Sequence, residues 1–118
     1  MDERDKSLLE WIKEETKLIL KMTDGYDWET FSTDKKTQHA VSMALINIGE
    51  SVKSLSEDLK QKNQDIKWRY IAGIRDIAAH DYGGLRMDWV WGNVTKDIPE
   101  LLDLVDGVLL AGEVEKGK

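Results

Sequence analysis

The sequence predicts an all-α protein: a four-helix, up-and-down bundle formed by a single domain over residues 1–118. Apolar residues recur every three to four positions through four segments, which is the spacing of one face of a helix. The chain contains one proline, so few positions interrupt a helix. A length of 118 residues suits one domain with a modest core.

The first helix is expected from about residue 6 to residue 22, and a connector follows over residues 26–33. Gly25 is expected to end the helix, because glycine readily adopts the left-handed backbone conformation at a helix C-terminus. In the connector, Trp28 and Phe31 are expected to close the end of the bundle.

The second helix is expected to be the longest, from about residue 34 to residue 60. Small residues such as Gly49 would let another helix approach closely. Met43 and Ile46 extend the apolar surface beyond one core-facing stripe, which indicates a second contact surface such as a dimer interface. The stripe itself consists of Val41, Ala44, Leu45, Ile48, Val52, Leu55 and Leu59.

The third helix follows a polar break at residues 61–64 and ends near His80. Gly73 lies inside it and is interpreted as a site of close packing, because glycine costs about 1 kcal/mol relative to alanine in a helix. The fourth helix begins at Met87, and Pro99 is expected to kink or restart it. The buried side of the third helix is assigned to Tyr70, Ile71, Ile74, Ile77 and Ala78.

Composition argues against several classes of protein. There is no cysteine, hence no disulfide and no thiolate metal site, which fits the reducing cytoplasm. The N-terminus is charged, with no apolar signal segment, and no apolar run approaches the roughly eighteen residues of a membrane helix. We therefore expect a cytoplasmic protein with no membrane contact.

The charge is distributed unevenly. The chain as a whole carries −6, which argues against a general nucleic-acid coat protein and against DNA as a partner. Residues 66–96 carry five basic and three acidic residues, a net of +2. A locally basic cleft in an acidic body would accept a phosphate while repelling non-specific polyanions. Ordinary fluctuation in a charged helical protein explains the same pattern.

Three chemically capable side chains lie within eight residues, from Arg75 through His80 to Tyr82, just before Gly83 and Gly84. Arginine offers a permanently charged, forked donor for phosphate, and histidine transfers protons near neutral pH. Five residues on a helix give a rotation of about 140°, so spacing alone does not place Arg75 and His80 on one face. From the residues alone, the simpler interpretation is a helix-terminal histidine and an exposed or salt-bridged arginine.

Competing motifs are weak. The sequence has no glycine-rich phosphate loop, no HExxH and no nucleophile elbow. Its two histidines, His39 and His80, are far apart among scattered carboxylates, so neither a metal site nor a cofactor is expected. Trp68, Trp89 and Trp91 flank the motif and would either stack on a base or pack in the core or a dimer interface, packing being the simpler interpretation.

The pattern Arg75-x4-His80-x-Tyr82 resembles the signature of the HEPN superfamily and, within it, the HepT-like toxins of prokaryotic toxin–antitoxin pairs. One difference is Asp76, which stands where such toxins most often have asparagine. It puts a carboxylate beside the arginine and would temper activity. Further similar pieces follow the same order along the chain: residues 44–50, Trp68, residues 90–91 and residues 97–101.

The resemblance implies a dimeric bundle of HEPN type that acts as a metal-independent endoribonuclease toxin. Arg75 and His80 would be catalytic and Asp76 would shape the site. The ribose 2′-hydroxyl would attack its own phosphate while His80 moves protons and Arg75 holds the phosphate. Each chain supplies one such histidine, whereas an acid and a base are both needed, so a homodimer would place two motifs around one cleft.

The resemblance also implies a partner, a small MNT-type nucleotidyltransferase that neutralises the toxin and can transfer AMP to Tyr82. A different class of function stays open. The chain would then be a non-catalytic helical subunit that binds the nucleotidyltransferase or a nucleotide without cutting RNA. An RNA-cleavage assay with a His80 variant separates the two alternatives.

Overall fold

The computed structural model describes residues 1–80 and 86–116, apart from the side chains of His80 and residues 114–116. All regular structure in this part of the chain is helical, which confirms the all-α class, and none of its helices is long and apolar enough to cross a membrane. The elements are α1 (Glu3–Met22), α2 (Trp28–Thr33), α3 (Lys35–Ser54), α4 (Glu57–Lys62), α5 (Trp68–His80), α6 (Met87–Gly92), a π-helical turn (Asn93–Asp97; the π turn) and α7 (Ile98–Lys116).

The long helices form a four-helix bundle around α3. Helix α3 packs against α1 on one side and α5 on the other, and α1 packs against α7. The start of α1 lies beside the end of α7, where Met1 contacts Gly112, and an ion pair between Lys13 and Asp106 joins the two helices further along. All seven residues of the apolar stripe predicted for the second helix are buried.

The connector after α1 is confirmed in part. Gly25 has a φ of +76°, the left-handed conformation expected of it. Phe31 is fully buried and stacks on Trp91 with 4.9 Å between ring centroids. Trp28 stays exposed, with its ring centroid 6.4 Å from that of Phe31. Only Phe31 therefore closes the end of the core.

The second predicted helix is wrong in one respect, because it is two helices. Leu55 has an extended backbone (φ −64°, ψ 146°), and the Ser56 side chain caps α4 by accepting from the Leu59 N–H. The Ser56 N–H and hydroxyl donate to the Asp5 carboxylate of α1, at 2.9 and 2.5 Å. Asp5 is buried, and a buried carboxylate needs hydrogen-bond donors. The break in the helix supplies them.

Of the two effects expected of Pro99, a kink or a restart of the fourth helix, the restart is wrong and the kink stays a prediction. The helix continues from Met87 to Lys116, and the π turn lies immediately before Ile98 and Pro99. The backbone is helical where the π turn begins and where it ends. Proline has no N–H and its ring crowds the carbonyl four residues earlier, so the wider π turn accommodates it without ending the helix.

Two assignments on α5 are corrected. Tyr70, predicted on the buried side, is exposed, and its hydroxyl donates a hydrogen bond to Asp97 of the π turn at 3.0 Å. Gly73 is not a site of close packing, because a Cβ there would meet no atom within 4 Å. Ile71, Ile74 and Ala78 are buried as predicted, together with Trp68, while Ile77 is half-buried.

Candidate active site

Helices α3 and α5 approach each other closely at Gly49. A Cβ at this position would collide with the Cβ of Arg75 and lie 3.1 Å from the Ala72 carbonyl oxygen. Because glycine has no side chain, the two backbones come together here and Arg75 leaves α5 directly beside α3. This confirms the prediction that Gly49 admits a neighbouring helix.

Arg75 contacts two carboxylates, one from each helix. Its Nε lies 2.7 Å from Glu50 Oε1 on α3, an ion pair in which the N–H does not point along the line to the oxygen. Its Nη1 donates a hydrogen bond to Asp76 Oδ1 at 3.0 Å. The Arg75 side chain remains 37% exposed. Its guanidinium group is therefore restrained on two sides and still reaches solvent.

The electrostatics of this cluster follow from its members. The hydrogen bond to Asp76 and then the negative charge of Glu50 raise the pKa of Arg75 above its already high usual value. The guanidinium is thus charged at every working pH. One cation and two anions give the cluster a net charge of −1, so an incoming phosphate must compete with carboxylates for the arginine.

The remaining motif residues follow Arg75 along the chain. His80 is the last residue of α5, which confirms the predicted end of this helix. The His80 side chain, Tyr82 and the two glycines after it lie outside the described residues. Their proposed roles therefore stay predictions. His39, the other histidine, is exposed on α3, and no group of three or more potential metal ligands clusters within the described ranges.

The three tryptophans around the motif have different environments. Trp68 is buried and donates its Nε1–H to the Asn63 carbonyl oxygen at 3.1 Å, and Trp91 stacks on Phe31. These two pack in the core, as the simpler interpretation has it. Trp89 on α6 is exposed, and the guanidinium carbon of Arg86 lies 3.5 Å from its ring centroid.

Glu50 is the site residue that sequence reasoning missed as a partner of Arg75. It belongs to a stretch that carries the family resemblance, but 25 positions separate it from the arginine. The usable signal was Gly49. A glycine inside an apolar stripe indicates that a neighbouring helix can approach, and at Gly49 the next residue, Glu50, does lie beside the approaching helix.

A groove lies on the other side of α5, between the start of that helix and the π turn. Its volume is about 390 Å³. Tyr70 and Asp97 line it together with Lys67 and Lys96. None of the predicted site residues takes part, so the groove is separate from the Arg75 cluster.

Comparison with known proteins identifies relatives of the chain. The family model described as Ribonuclease HepT-like matches residues 12–108. A Thermococcus cleftensis protein provisionally named ribonuclease HepT is 41% identical over 101 residues, or 86% of this chain and 92% of that protein. Provisionally named RNases of Caldanaerobacter subterraneus subsp. tengcongensis (34% identical over 101 residues; 86% of this chain, 90% of that protein) and Methanocaldococcus jannaschii (34% over 106 residues; 88% of each) are also similar. No solved structure matches.

The matched region contains Gly49, Glu50, Arg75 and His80 and covers most of the chain. It therefore includes both helices whose close approach positions the arginine. The all-helical bundle agrees with a HEPN-type fold. The chain belongs to the HepT-like ribonuclease family of the HEPN superfamily.

Proposed function

We propose that the protein is a metal-independent endoribonuclease, the toxin of a prokaryotic toxin–antitoxin pair. The observation that carries this proposal is the placement of Arg75. The close contact at Gly49 fixes the start of its side chain, two carboxylates restrain its head, and His80 follows five residues later. Membership of a ribonuclease family and relatives provisionally named ribonucleases support it.

The chemistry needs only groups that this motif contains. The ribose 2′-hydroxyl attacks the adjacent phosphorus, and the bond to the 5′-oxygen of the next nucleotide breaks. A base accepts the hydroxyl proton, an acid protonates the leaving oxygen, and a cation stabilises the charge on the phosphoryl oxygens. We assign proton transfer to His80 and charge stabilisation to Arg75. The products are a 2′,3′-cyclic phosphate and a 5′-hydroxyl.

The two carboxylates around Arg75 have different roles in this proposal. Glu50 contacts Nε, at the base of the guanidinium group, and so leaves the two terminal nitrogens to other partners. Asp76 occupies one of those terminal nitrogens, the kind of atom that a phosphate would use. Glu50 is therefore a positioning residue, whereas Asp76 competes with the substrate.

A homodimer completes the site in this mechanism. One motif supplies one histidine, and two motifs around a shared cleft supply both the acid and the base. Surface for such an interface exists on α3, where Met43 is exposed and Ile46 is half-buried although both are apolar. The relevant test is light scattering at micromolar concentration. A stable monomer that retains nuclease activity would contradict the shared cleft.

Control by an MNT-type nucleotidyltransferase is part of the proposal. Its AMP transfer would join the Tyr82 oxygen to the α-phosphorus of ATP and release pyrophosphate. The new phosphate would lie two residues from His80, where it could pair with Arg75 and exclude RNA by charge and bulk. With the cognate enzyme and ATP, intact mass should increase by one AMP or more in the wild type and stay unchanged in Tyr82→Phe.

The function itself is tested by incubating the purified protein with total RNA in EDTA. We expect cleavage that leaves 2′,3′-cyclic phosphate ends and is lost in His80→Ala, with circular dichroism showing that the variant is folded. Strict dependence on Mg²⁺, or unchanged cleavage by His80→Ala, would refute the mechanism. A wild type that binds the nucleotidyltransferase but cuts no RNA would instead support the non-catalytic alternative.

A further inference from the structure

We infer that Trp89 and Arg86 form a stacking platform for an unpaired base of single-stranded RNA, on the helix that follows the catalytic motif. The inference rests on the proposed ribonuclease function and specifies how that site holds its substrate. It starts from the surroundings of Trp89, whose large aromatic ring is exposed on a short helix that buries Met87 and Val90.

The core does not require Trp89. Helix α6 buries Met87 and Val90, and Trp91 stacks on Phe31. These three side chains cover the inward surface of the helix. Trp89 does not belong to this set and is 49% exposed. About half of its surface is therefore accessible to a ligand.

Arg86 places a planar, positively charged group against the Trp89 ring. Its guanidinium carbon lies 3.5 Å from the Trp89 ring centroid, the distance of direct cation–π contact. The Arg86 side chain is itself exposed, and its Nε donates a hydrogen bond to Asp88 at 3.4 Å. The pair thus presents an aromatic ring and a delocalised cation together. Unpaired bases stack on both kinds of surface, and the positive charge suits the RNA backbone.

The position of the pair fits a substrate that passes the motif. Arg86 follows His80 by six residues, and six residues of chain reach at most about 22 Å. Helix α6 also packs against α5, the helix that carries Arg75. A strand whose phosphate lies at Arg75 and His80 would therefore pass Trp89 within a few nucleotides of that phosphate.

The test measures RNA affinity in the His80→Ala background, so that the RNA stays intact. The probe is a fluorescein-labelled single-stranded oligoribonucleotide, followed by anisotropy. Trp11 on α1 supplies a matched control because its side chain is also 49% exposed. Stacking of one base is worth about 1–3 kcal/mol, so we expect Trp89→Ala to weaken binding at least fivefold and Trp11→Ala less than twofold.

Abasic RNA identifies stacking as the cause. An oligonucleotide that keeps its sugars and phosphates but lacks bases should bind equally well to His80→Ala and to the same protein that also carries Trp89→Ala. Arg86→Ala should weaken the base-bearing RNA and also lower the slope of log affinity against log salt by somewhat less than one, because one phosphate-proximal cation is removed. Arg86→Lys should keep the salt dependence of the affinity, because the charge remains. It should reduce the ratio of the affinities for base-bearing and abasic RNA, because lysine lacks a planar group that stacks.

Two results would overturn the inference. One is equal affinity of Trp89→Ala and Trp11→Ala for base-bearing RNA. The other is dissociation of a dimer in Trp89→Ala, seen by light scattering, since the ring would then belong to an interface between copies. Failure of the proposed function would look different, because the protein with an intact His80 would cut no RNA at all.

Discussion

Where α5 faces α3, the two backbones come so close that only glycine fits at position 49, whereas towards the π turn a groove of about 390 Å³ borders the same helix. On the first side Arg75 is held by Glu50 and Asp76. On the second side the Tyr70 hydroxyl reaches Asp97 at the edge of the groove. The helix thus packs backbone to backbone against α3 beside the proposed catalytic arginine (the tight side), whereas the side that borders the groove (the loose side) carries no assigned function.

The largest change is expected from Gly49→Ala, which breaks the tight side. The new methyl group would collide with the Arg75 Cβ, and overpacking of this kind costs about 1–3 kcal/mol of unfolding free energy. RNA cleavage should fall as well, because α5 must shift and take Arg75 with it. Urea denaturation and a cleavage assay measure the two effects. Unchanged stability would show that α3 and α5 have room for a methyl group at position 49.

Glu50→Gln tests whether the tight side orients the arginine. Without the carboxylate, the guanidinium loses the ion pair at Nε and with it the restraint that α3 provides. A misplaced catalytic group costs roughly 10–100-fold in rate, so we expect a loss of at least tenfold in kcat/KM for RNA. Asp76→Asn, which removes the competing carboxylate, should keep or raise activity by a few-fold. Equal losses in both variants would contradict the division of roles between Glu50 and Asp76.

Gly73→Ala sharpens the comparison, because it adds the same methyl group to α5 where space is open. Nothing lies within 4 Å of a Cβ at this position. Alanine is favoured over glycine inside a helix by up to about 1 kcal/mol, so this variant should be more stable than the wild type and equally active. A loss of stability in urea denaturation would mean that the space is needed for another contact.

The smallest effect is expected from Tyr70→Phe on the loose side. The hydroxyl bonds Asp97 near solvent, and its removal should cost about 0.5 kcal/mol. Tyr70 is half exposed, and partial desolvation of its hydroxyl, followed by the hydrogen bond to Asp97, raises its pKa above the usual 10.0. Since the raised pKa favours the protonated phenol in the fold, this contribution is complete below pH 10 and is lost as the pH rises through the folded-state pKa. In an alkaline titration, the difference in tyrosinate absorbance between the wild type and Tyr70→Phe should therefore develop at a higher pH than for an ordinary tyrosine.

Local sequence patterns predicted much of the fold. The apolar stripe of α3 is predictable because a helix with one buried face repeats apolar residues every three to four positions, a pattern visible within the segment itself. The break at Leu55 was not recognised, because its cause is Asp5 on another helix, 51 positions from Ser56. The two glycines show the same limit. Sequence alone does not show which glycine meets a neighbouring helix and which faces open space.

The candidate site was predictable to a similar degree. The resemblance identified Arg75, and the contact with Asp76 followed from adjacency along the chain. The role of Glu50 depends on how α3 crosses α5, which no spacing within one segment encodes. The exposure of Tyr70 was missed for a related reason, since its partner Asp97 lies 27 positions away on the π turn.

The carboxylates beside Arg75 also have a consequence for how RNA would first meet the protein. At distances beyond about 10 Å, one cation and two anions act as a weakly negative centre, and salt screens even that. Arg75 therefore adds no long-range attraction for a polyanion, and electrostatic steering falls to cations that are less closely paired. In the proposed mechanism, diffusional encounter with RNA would therefore depend little on Arg75, although turnover would depend on it. Arg75 would contribute to RNA binding only at short range, once a phosphate replaces a carboxylate as its partner.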